Sequence, residues 1–496
     1  MPRLACFFLL LFACMAPVAS AGDWSRYGGD AQVTNNVPND VGHAVGIDAA
    51  HADALQQKWR RDLDGAIVAS PLYLDGTEGY RATVYVATEA GSVYALRARD
   101  GTVIWQRTFP TYVSPDPDCG NYGVSSTGVI DRARGVIYIA AADGTLHALD
   151  LVTGADAAGW PVQLPVDTLT AYVWGGLTLV GSTLYVPVAS FCDDPSPTTG
   201  LYPTGGITAI DVGKPAVSGA FAVSPPGTLG GIWGWGGASV DPLTGDLWVA
   251  TGNSEPLGDG EAQGYAEAVV QLDPSLGVVA SNRPGGIPDA ALDTDFGSTP
   301  LLFQPDGCPP LAAAHNKNGE LYVWNRQNLG GGPIWSKEIG PDDLATPFTG
   351  EPSWSPELQE LIVANARVYD QAVPSGVAHF SAAVAFTIGA GCTFPDAPSW
   401  ISDVGQGTKP PALIVGDVAF VSGGDASVFT ELNAATGAVL RAFFLESNLY
   451  AGSILAGNEI VAGNVGGTVF ALAPKLPPRP KGARQLHVRH IPSIFD

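Results

Sequence analysis

The sequence predicts an all-β protein built as an eight-bladed β-propeller of four-stranded antiparallel blades. Three observations carry that expectation. A strand-and-turn phrase returns eight times: a glycine, a short alternating strand, an acidic or polar turn with Gly, and often a Trp. The copies centre on Ala95, Ala148, Ala209, Gln271, Val323, Ala385, Glu431 and Ala471, so successive centres lie 53, 61, 62, 52, 62, 46 and 40 residues apart. A period of this size, filled with short strands, belongs to stacked β units and not to separate domains. Gly (62) and Pro (40) cut the chain into short alternating runs, and no long stretch has helical periodicity. Finally, the array absorbs nearly all of the 496 residues. One domain over residues 22–474 therefore replaces the roughly three domains that length alone suggests.

The elements follow in chain order. Arg3, the apolar run Leu4 to Ala13 and the small residues Ala19-Ser20-Ala21 read as a signal peptide over residues 1–21, with a mature start near Gly22. Leu11-Phe12-Ala13-Cys14 offers a competing reading as a lipid-attachment box. No later run of about 20 apolar residues could span a membrane. The expected location is the periplasm or the extracellular space. Blade one reads as a strand at Thr83–Ala87, a turn at Glu89-Ala90-Gly91, a strand at Ser92–Leu96, a turn at Arg99-Asp100-Gly101, and an outer strand closing on Trp105. Such a blade cannot bury both faces alone, so it packs beside others around an axis. The outer-strand Trp is expected as a wedge between neighbouring blades, where an aromatic of this size buries about 150–250 Å². A strand is expected at Trp24 to Gly29, before the first full blade, and an N-terminal strand is expected to close the ring on the last motif, Gly467 to Ala473. From Lys475 the basic, Pro-containing stretch 475–496 reads as a flexible tail.

A net charge of −24 repels nucleic acid and favours solubility. Cys6 and Cys14 fall in the signal peptide, leaving Cys119, Cys192, Cys308 and Cys392. In an exported chain these suggest up to two disulfides, with three pairings open. No CxxC occurs, which excludes a zinc ribbon and a c-type haem site; HExxH and Gly-x-Ser-x-Gly are also missing. His147 and His315 read as structural.

Asp23-Trp24-Ser25-Arg26-Tyr27-Gly28-Gly29-Asp30, together with the repeated Gly-x-Val/Leu-Tyr/His-Ala-Leu…Thr-Gly…Trp phrase, resembles the pyrroloquinoline quinone (PQQ) dehydrogenase-like propellers and their tryptophan-docking repeats. The resemblance spans residues 23–474 and includes non-catalytic, BamB-like assembly scaffolds. Within it, Trp235 stands eighteen residues before Asn253 of Thr251-Gly252-Asn253. That resemblance implies Trp235 stacking on the PQQ ring and Asn253 ligating Ca²⁺. A flat quinone binds by stacking, and a hard cation takes oxygen ligands. Asp293-Thr294-Asp295 resembles the segment carrying the catalytic base, which implies Asp293 as base and metal ligand and Asp295 as a second acid at the metal. Lys317, in Asn316-Lys317-Asn318-Gly319, is implied to contact the quinone carbonyls, with Trp354 and Asn365 as further cofactor contacts. The mechanism implied is proton removal from an alcohol by Asp293 and hydride transfer to PQQ, with Ca²⁺ and Lys317 polarising the accepting carbonyl. Electrons would then pass to an external acceptor.

The chain also departs from that pattern. It has no adjacent Cys-Cys pair, and near Phe191 to Gly206 it offers only Asp193 and Asp194 where a metal-binding Glu is expected. Thr204 stands before Gly205 in place of an Arg, and the arginine that grips a PQQ carboxylate in the first blade is missing. Glu255, Asp259 and Glu261 read as a solvated face or as extra calcium ligands. Two readings therefore stand: a dehydrogenase of an alcohol or sugar using PQQ and Ca²⁺, and a non-catalytic propeller that binds a protein or glycan partner.

Overall fold

The computed structural model describes residues 22–113, 120–255, 262–287, 293–340, 349–369, 378–404, 410–423 and 427–475. The expected signal peptide, Cys119, Asp259, Glu261 and the tail beyond Lys475 lie outside them. Eight β-sheets of at least four strands stand around one axis. Their innermost strands are Leu72–Leu74, Val129–Asp131, Thr178–Val180, Ser239–Val240, Leu301–Phe303, Pro352–Ser355, Leu413–Val415 and Ile454–Ala456. Blade one holds the expected strands at Thr83–Ala87, Ser92–Arg97 and Val103–Thr108. The ring closes where Leu55–Asp62 joins the last blade as its outer strand, antiparallel to Thr468–Pro474. Among the described residues no helix is long and apolar enough to cross a membrane.

Strand position explains strand composition. Second strands such as Thr83–Ala87, Val136–Ala140 and Leu311–His315 are buried along their whole length. Both of their faces meet neighbouring blades, so a continuous apolar run suits them. Outer strands such as Val103–Thr108 have a solvent face and alternate.

Outer-strand tryptophans couple three of the blades to the next. Trp59 donates its indole N–H to Ala98 O at 2.7 Å, Trp105 to Leu151 O at 3.2 Å, and Trp400 to Ala434 O at 3.0 Å. Each ring lies against a turn glycine of the receiving blade: Gly101, Gly154 and Gly437 respectively. A Cβ on Gly154 would come within 2.7 Å of the Trp105 ring, and Gly154 has a φ of +71°. The turn must therefore be glycine for two separate reasons.

Residues 24–35 pass from the inner edge of one blade to the next around the channel instead of forming a blade strand. Trp24 bridges Tyr73 of the first inner strand, and Ser25 O accepts from Ile130 N of the second at 2.7 Å. Arg26 reaches Thr178 and Ala238 O. Ala31, Gln32, Thr34 and Asn35 then accept from Val240, Leu302, Trp354 and Ile414 at 2.7–3.1 Å. Asn36–Val37 pairs in parallel with the inner strand of blade seven. The strand expected at Trp24 to Gly29 is thus an axial segment that supplies acceptors to the free edges of the inner strands.

Cys308 and Cys392 form a disulfide across 84 residues of chain. Cys192 is disulfide-bonded as well.

Replacing Gly154 by Ala is expected to cost about 1–3 kcal/mol, from the left-handed backbone and the overpacked indole together. Urea unfolding checks this, and an unchanged midpoint would remove the wedge as a source of stability.

Candidate functional site

The antiparallel course of each blade places two kinds of connection at the same end: the turn between second and third strands, and the passage from one outer strand to the next inner strand. Asn253 follows the second strand Leu247–Ala250 of blade four, and Lys317 follows Leu311–His315 of blade five. Trp233 and Trp235 precede the inner strand Ser239–Val240, while Asp293 and Asp295 precede Leu301–Phe303. All six residues therefore lie at one end of the propeller.

Lys317 is the centre of this end. Its Nζ donates to Asp293 Oδ1 and to Asp295 Oδ2, both at 2.7 Å. The Lys317 side chain is 4% exposed and that of Asp295 5%, while that of Asp293 is 42% exposed. Lys317 Nζ also lies over the Trp233 ring, 5.1 Å from its centroid. The backbone N–H of Asn253 donates to Asp295 Oδ1. Gly252 makes that approach possible, because a Cβ there would meet Asp295 Oδ1 at 2.6 Å and the Trp233 indole nitrogen at 3.1 Å. A Cβ on Gly297 would touch the other end of the same indole at 2.6 Å.

The two carboxylates titrate as a pair. Asp295 is held below the ordinary carboxylate range: its burial opposes this, but the Lys317 charge and hydrogen bonds from Asp293, Lys317 and the Asn253 backbone prevail. Asp293 is pushed up to about 8, first by desolvation and then by the neighbouring Asp295. Lys317 is raised by both carboxylates against the effect of its burial. Near neutral pH the arrangement is one carboxylate, one ammonium and one outward-facing acid that holds a proton. Asp193, an exposed residue, is also raised, by desolvation and then by the charge of Asp295.

The structure distributes the other expected residues differently. Trp235 packs with Tyr27 and Val33, below Trp174 and Tyr450, and the indole beside Lys317 is Trp233. Both belong to Trp233-Gly234-Trp235-Gly236, and spacing alone cannot choose between two tryptophans two residues apart. Trp354 lies in the core of blades five and six, 5.0 Å from Phe303 between ring centroids. Asn365 is buried and accepts from Gly350 N at 3.4 Å, and Gly350 O faces His315 Nδ1 at 3.2 Å. Burial lowers His315 to about 4, so its imidazole is neutral.

Sequence reasoning also missed two supporting carboxylates. Glu267 is fully buried, accepts from Thr294 Oγ1 at 2.7 Å and pairs with Arg283, so it fixes the residue between Asp293 and Asp295. Glu351 accepts from Tyr27 Oη at 2.6 Å and from Thr299 N at 2.7 Å, and burial raises it to about 7. An isolated glutamate in an apolar strand context gives no sequence signal for either role.

Comparison with known proteins agrees with this geometry at the level of fold. Residues 35–158 match the family model described as outer membrane protein assembly factor BamB. A quinohemoprotein alcohol dehydrogenase, ADH-IIG of Pseudomonas putida, is 30% identical over 126 residues, 25% of this chain and 16% of its own length. The quinohemoprotein alcohol dehydrogenase of Comamonas testosteroni is 26% identical over 378 residues, 67% of this chain and 49% of its own length. The chain thus spans about half, or less, of the curated relatives it matches. The Comamonas enzyme's crystal structure superposes with a TM-score of 0.71 at 16% identity, covering 94% of this chain and 82% of that one. A europium-containing methanol dehydrogenase superposes at 0.66 and 15% identity, covering 91% and 98%. BamB of Moraxella catarrhalis superposes at 0.52 and 16%, covering 86% and 99%. The chain has the β-propeller fold of the PQQ-dependent quinoprotein dehydrogenases, a fold that the BamB scaffold shares.

Two consequences can be measured on the metal-free protein. Asp293 has a folded-state value above the ordinary carboxylate value, so the folded chain binds the extra proton between about pH 4 and pH 8. Stability is therefore lost as pH rises through that window, and Asp293→Asn is expected to flatten the decline in unfolding free energy; an unchanged slope would reject the raised value. Lys317→Met leaves buried Asp295 without its cation and is expected to cost about 3–5 kcal/mol at neutral pH, read by denaturant unfolding.

Proposed function

We propose that this chain is an exported quinoprotein-type dehydrogenase that oxidises an alcohol or sugar with PQQ, aided by Ca²⁺. The observation that carries the reading is the buried Lys317 held between Asp293 and Asp295 beside the half-buried Trp233 indole. The residues present suit a quinone: an indole flanked by glycines offers a stacking surface, and a fixed ammonium stands beside it to meet a carbonyl. The oxygen-rich set of Asn253, Asp293 and Asp295 suits a hard cation. Among the described residues no three His, Cys, Asp or Glu side chains form a metal cluster, and the Asp295 oxygens accept from Lys317 Nζ and from the Asn253 backbone N–H. PQQ, when bound, supplies the two-electron acceptor that the protein's own side chains lack.

The protein's part follows from its geometry. Asp293 is the more exposed acid, and that exposure would let an incoming hydroxyl group reach it. It accepts the substrate's proton once it is ionised. Asp295 stays ionised and anchors Lys317, so the ammonium keeps its position while Asp293 changes protonation. A general base in this role contributes about 10²–10⁴-fold in rate.

A second reading keeps the fold and drops the chemistry: a propeller that binds a protein or glycan partner. It is favoured by the engagement of Lys317 with two carboxylates already, in a chain of net charge −24 that would have to host a tricarboxylate.

Titration with PQQ and Ca²⁺, followed by tryptophan fluorescence and dye-linked alcohol oxidation, separates the two. The dehydrogenase reading expects saturable quenching that Trp233→Ala weakens more than Trp235→Ala. It also expects oxidation that falls by about 10²-fold or more in Asp293→Asn. Absence of quenching together with absence of oxidation selects the binding platform.

A further inference from the structure

The three docking tryptophans each stand opposite an alanine of their own blade's third strand: Trp59 opposite Ala471, Trp105 opposite Ala95 and Trp400 opposite Ala385. In blade seven the same register pairs Glu431 with Arg441. The exchange has a steric origin. Each indole rests on the glycine turn that joins third and outer strands in the receiving blade. Blade eight has no such turn. Its third strand ends at Pro474, and its outer strand, starting at Leu55, comes from the other end of the chain.

Arg441 reaches instead for the carbonyls at that entry. It donates to Asp53 O at 3.1 Å and to Leu55 O. The short 3₁₀ helix Ala49–Ala54 packs on the third and outer strands of blade seven, so this contact ties the start of the ring-closing strand to the neighbouring blade.

Glu431 lies behind that contact. It is fully buried, and neither of its carboxylate oxygens makes a hydrogen bond within the described chain. Directly opposed residues of a sheet hold their Cβ atoms about 4.5–5.5 Å apart, which puts the Arg441 guanidinium within reach. The groups facing Glu431 are few. Arg441 comes from the outer strand Val439–Phe444 and Asp53 from the short helix, where His51 is held by Asp48 at 2.7 Å. The second strand of blade seven, Val418–Gly423, and the third strand of blade eight, Thr468–Pro474, carry no titratable side chain. A buried carboxylate without a partner keeps its proton. Burial raises Glu431 to about 8; the Arg441 charge opposes this and Asp53 adds to it. Once ionised, Glu431 needs a cation, and the guanidinium that faces it is engaged elsewhere, so two demands compete for Arg441.

We infer that Arg441 is a two-position clasp on the ring closure: it holds Asp53 O and Leu55 O while Glu431 carries a proton, and turns to the Glu431 carboxylate when that proton leaves, releasing the entry of the closing strand. The folded value of Glu431 lies above the ordinary carboxylate value, so the clasp is closed at low pH and is lost as pH rises through about 8. This device is independent of the function proposed for the Lys317 cluster.

Amide hydrogen exchange of the mature chain tests this at about pH 6 and about pH 9.5, on either side of that titration. It is read in the peptide covering residues 49–62 and corrected for the intrinsic effect of pH. Exchange there is expected to be about tenfold or more faster at the higher pH, the loss of a charge-assisted hydrogen bond, while the strand Ser92–Arg97 in blade one keeps its protection. Glu431→Gln is expected to remove the difference, and Arg441→Ala to exchange fast at both values. Asp293→Asn, whose acid titrates over the same range at the Lys317 end, is expected to leave the response intact. Equal protection of the wild-type peptide at the two values overturns the inference, and this arm stands whether or not a variant folds. An equal rise in Ser92–Arg97, which marks global opening, also overturns it. So does a response that Glu431→Gln retains or that Asp293→Asn abolishes.

Discussion

The axial segment from Trp24 to Val37 is the constraint on which the rest of this propeller depends. Eight blades around one axis leave a ring of inner strands whose edges face a channel. Unpaired N–H groups there would go unsatisfied in a largely dry interior. The segment answers them in order, offering a carbonyl to blade two at Ile130, then to Val240, Leu302, Trp354 and Ile414. Two of its own polar side chains are matched in turn: Tyr27 donates to Glu351, and half-buried Arg26 donates to Ala238 O. Because one strand of chain touches the inner strands of most blades, it sets their spacing as well as their hydrogen bonding.

That constraint reaches the Lys317 cluster through few contacts. Glu351 binds Tyr27 with one oxygen and Thr299 N with the other. Thr299 Oγ1 then accepts from Gly236 N at 2.7 Å. The passages carrying Trp233 and Asp295 are therefore fastened to each other and to the axis just below the place where they meet Lys317. Glu267 fixes Thr294 from the other side. Side chains held this way keep their geometry while a proton moves, which a buried ion cluster needs, because a misplaced partner leaves an uncompensated charge. The asymmetry of the two aspartates has the same origin. Asp295 is enclosed with the ammonium and the Asn253 N–H, whereas Asp293 faces partly outward and takes the proton that both cannot lose. Strong perturbation of this kind concentrates at functional sites.

The repeats, their spacing and the role of the docking tryptophans were legible in the sequence, because each depends on residues close together in the chain. Trp105 and the Gly154 turn lie within adjacent copies of one phrase, and the steric reason for glycine holds in each. The grouping of Asn253, Asp293, Asp295 and Lys317 was legible through resemblance to a family with that order of residues. What was not legible depends on distant packing. Trp24 to Gly29 has strand composition, yet its partners come from several successive blades, so it lines the channel and the closing strand is Leu55–Asp62. Trp233 and Trp235 share one local context, and only contacts with Lys317 on one side and Tyr27 on the other separate them. Glu267 and Glu351 carry no pattern at all, since their partners come from other blades.

The fold alone leaves the choice of chemistry open, because dehydrogenases and an assembly scaffold superpose on this chain with similar low identity. The blade strands are spent on packing and docking, and the connections are free to vary. The most demanding interaction at the Lys317 end is the burial of the Lys317 ammonium with the Asp295 carboxylate, with Asp293 half-exposed beside them, and no blade needs it for its own packing. A scaffold that used only its rim would gain nothing from enclosing an ammonium between two carboxylates, and apolar residues of similar volume would be as stable or more so. Retaining such a cluster beside an accessible indole makes physical sense where a proton and a bound group must be handled together. That argument, more than the shape of the propeller, weighs toward chemistry at that end of the axis.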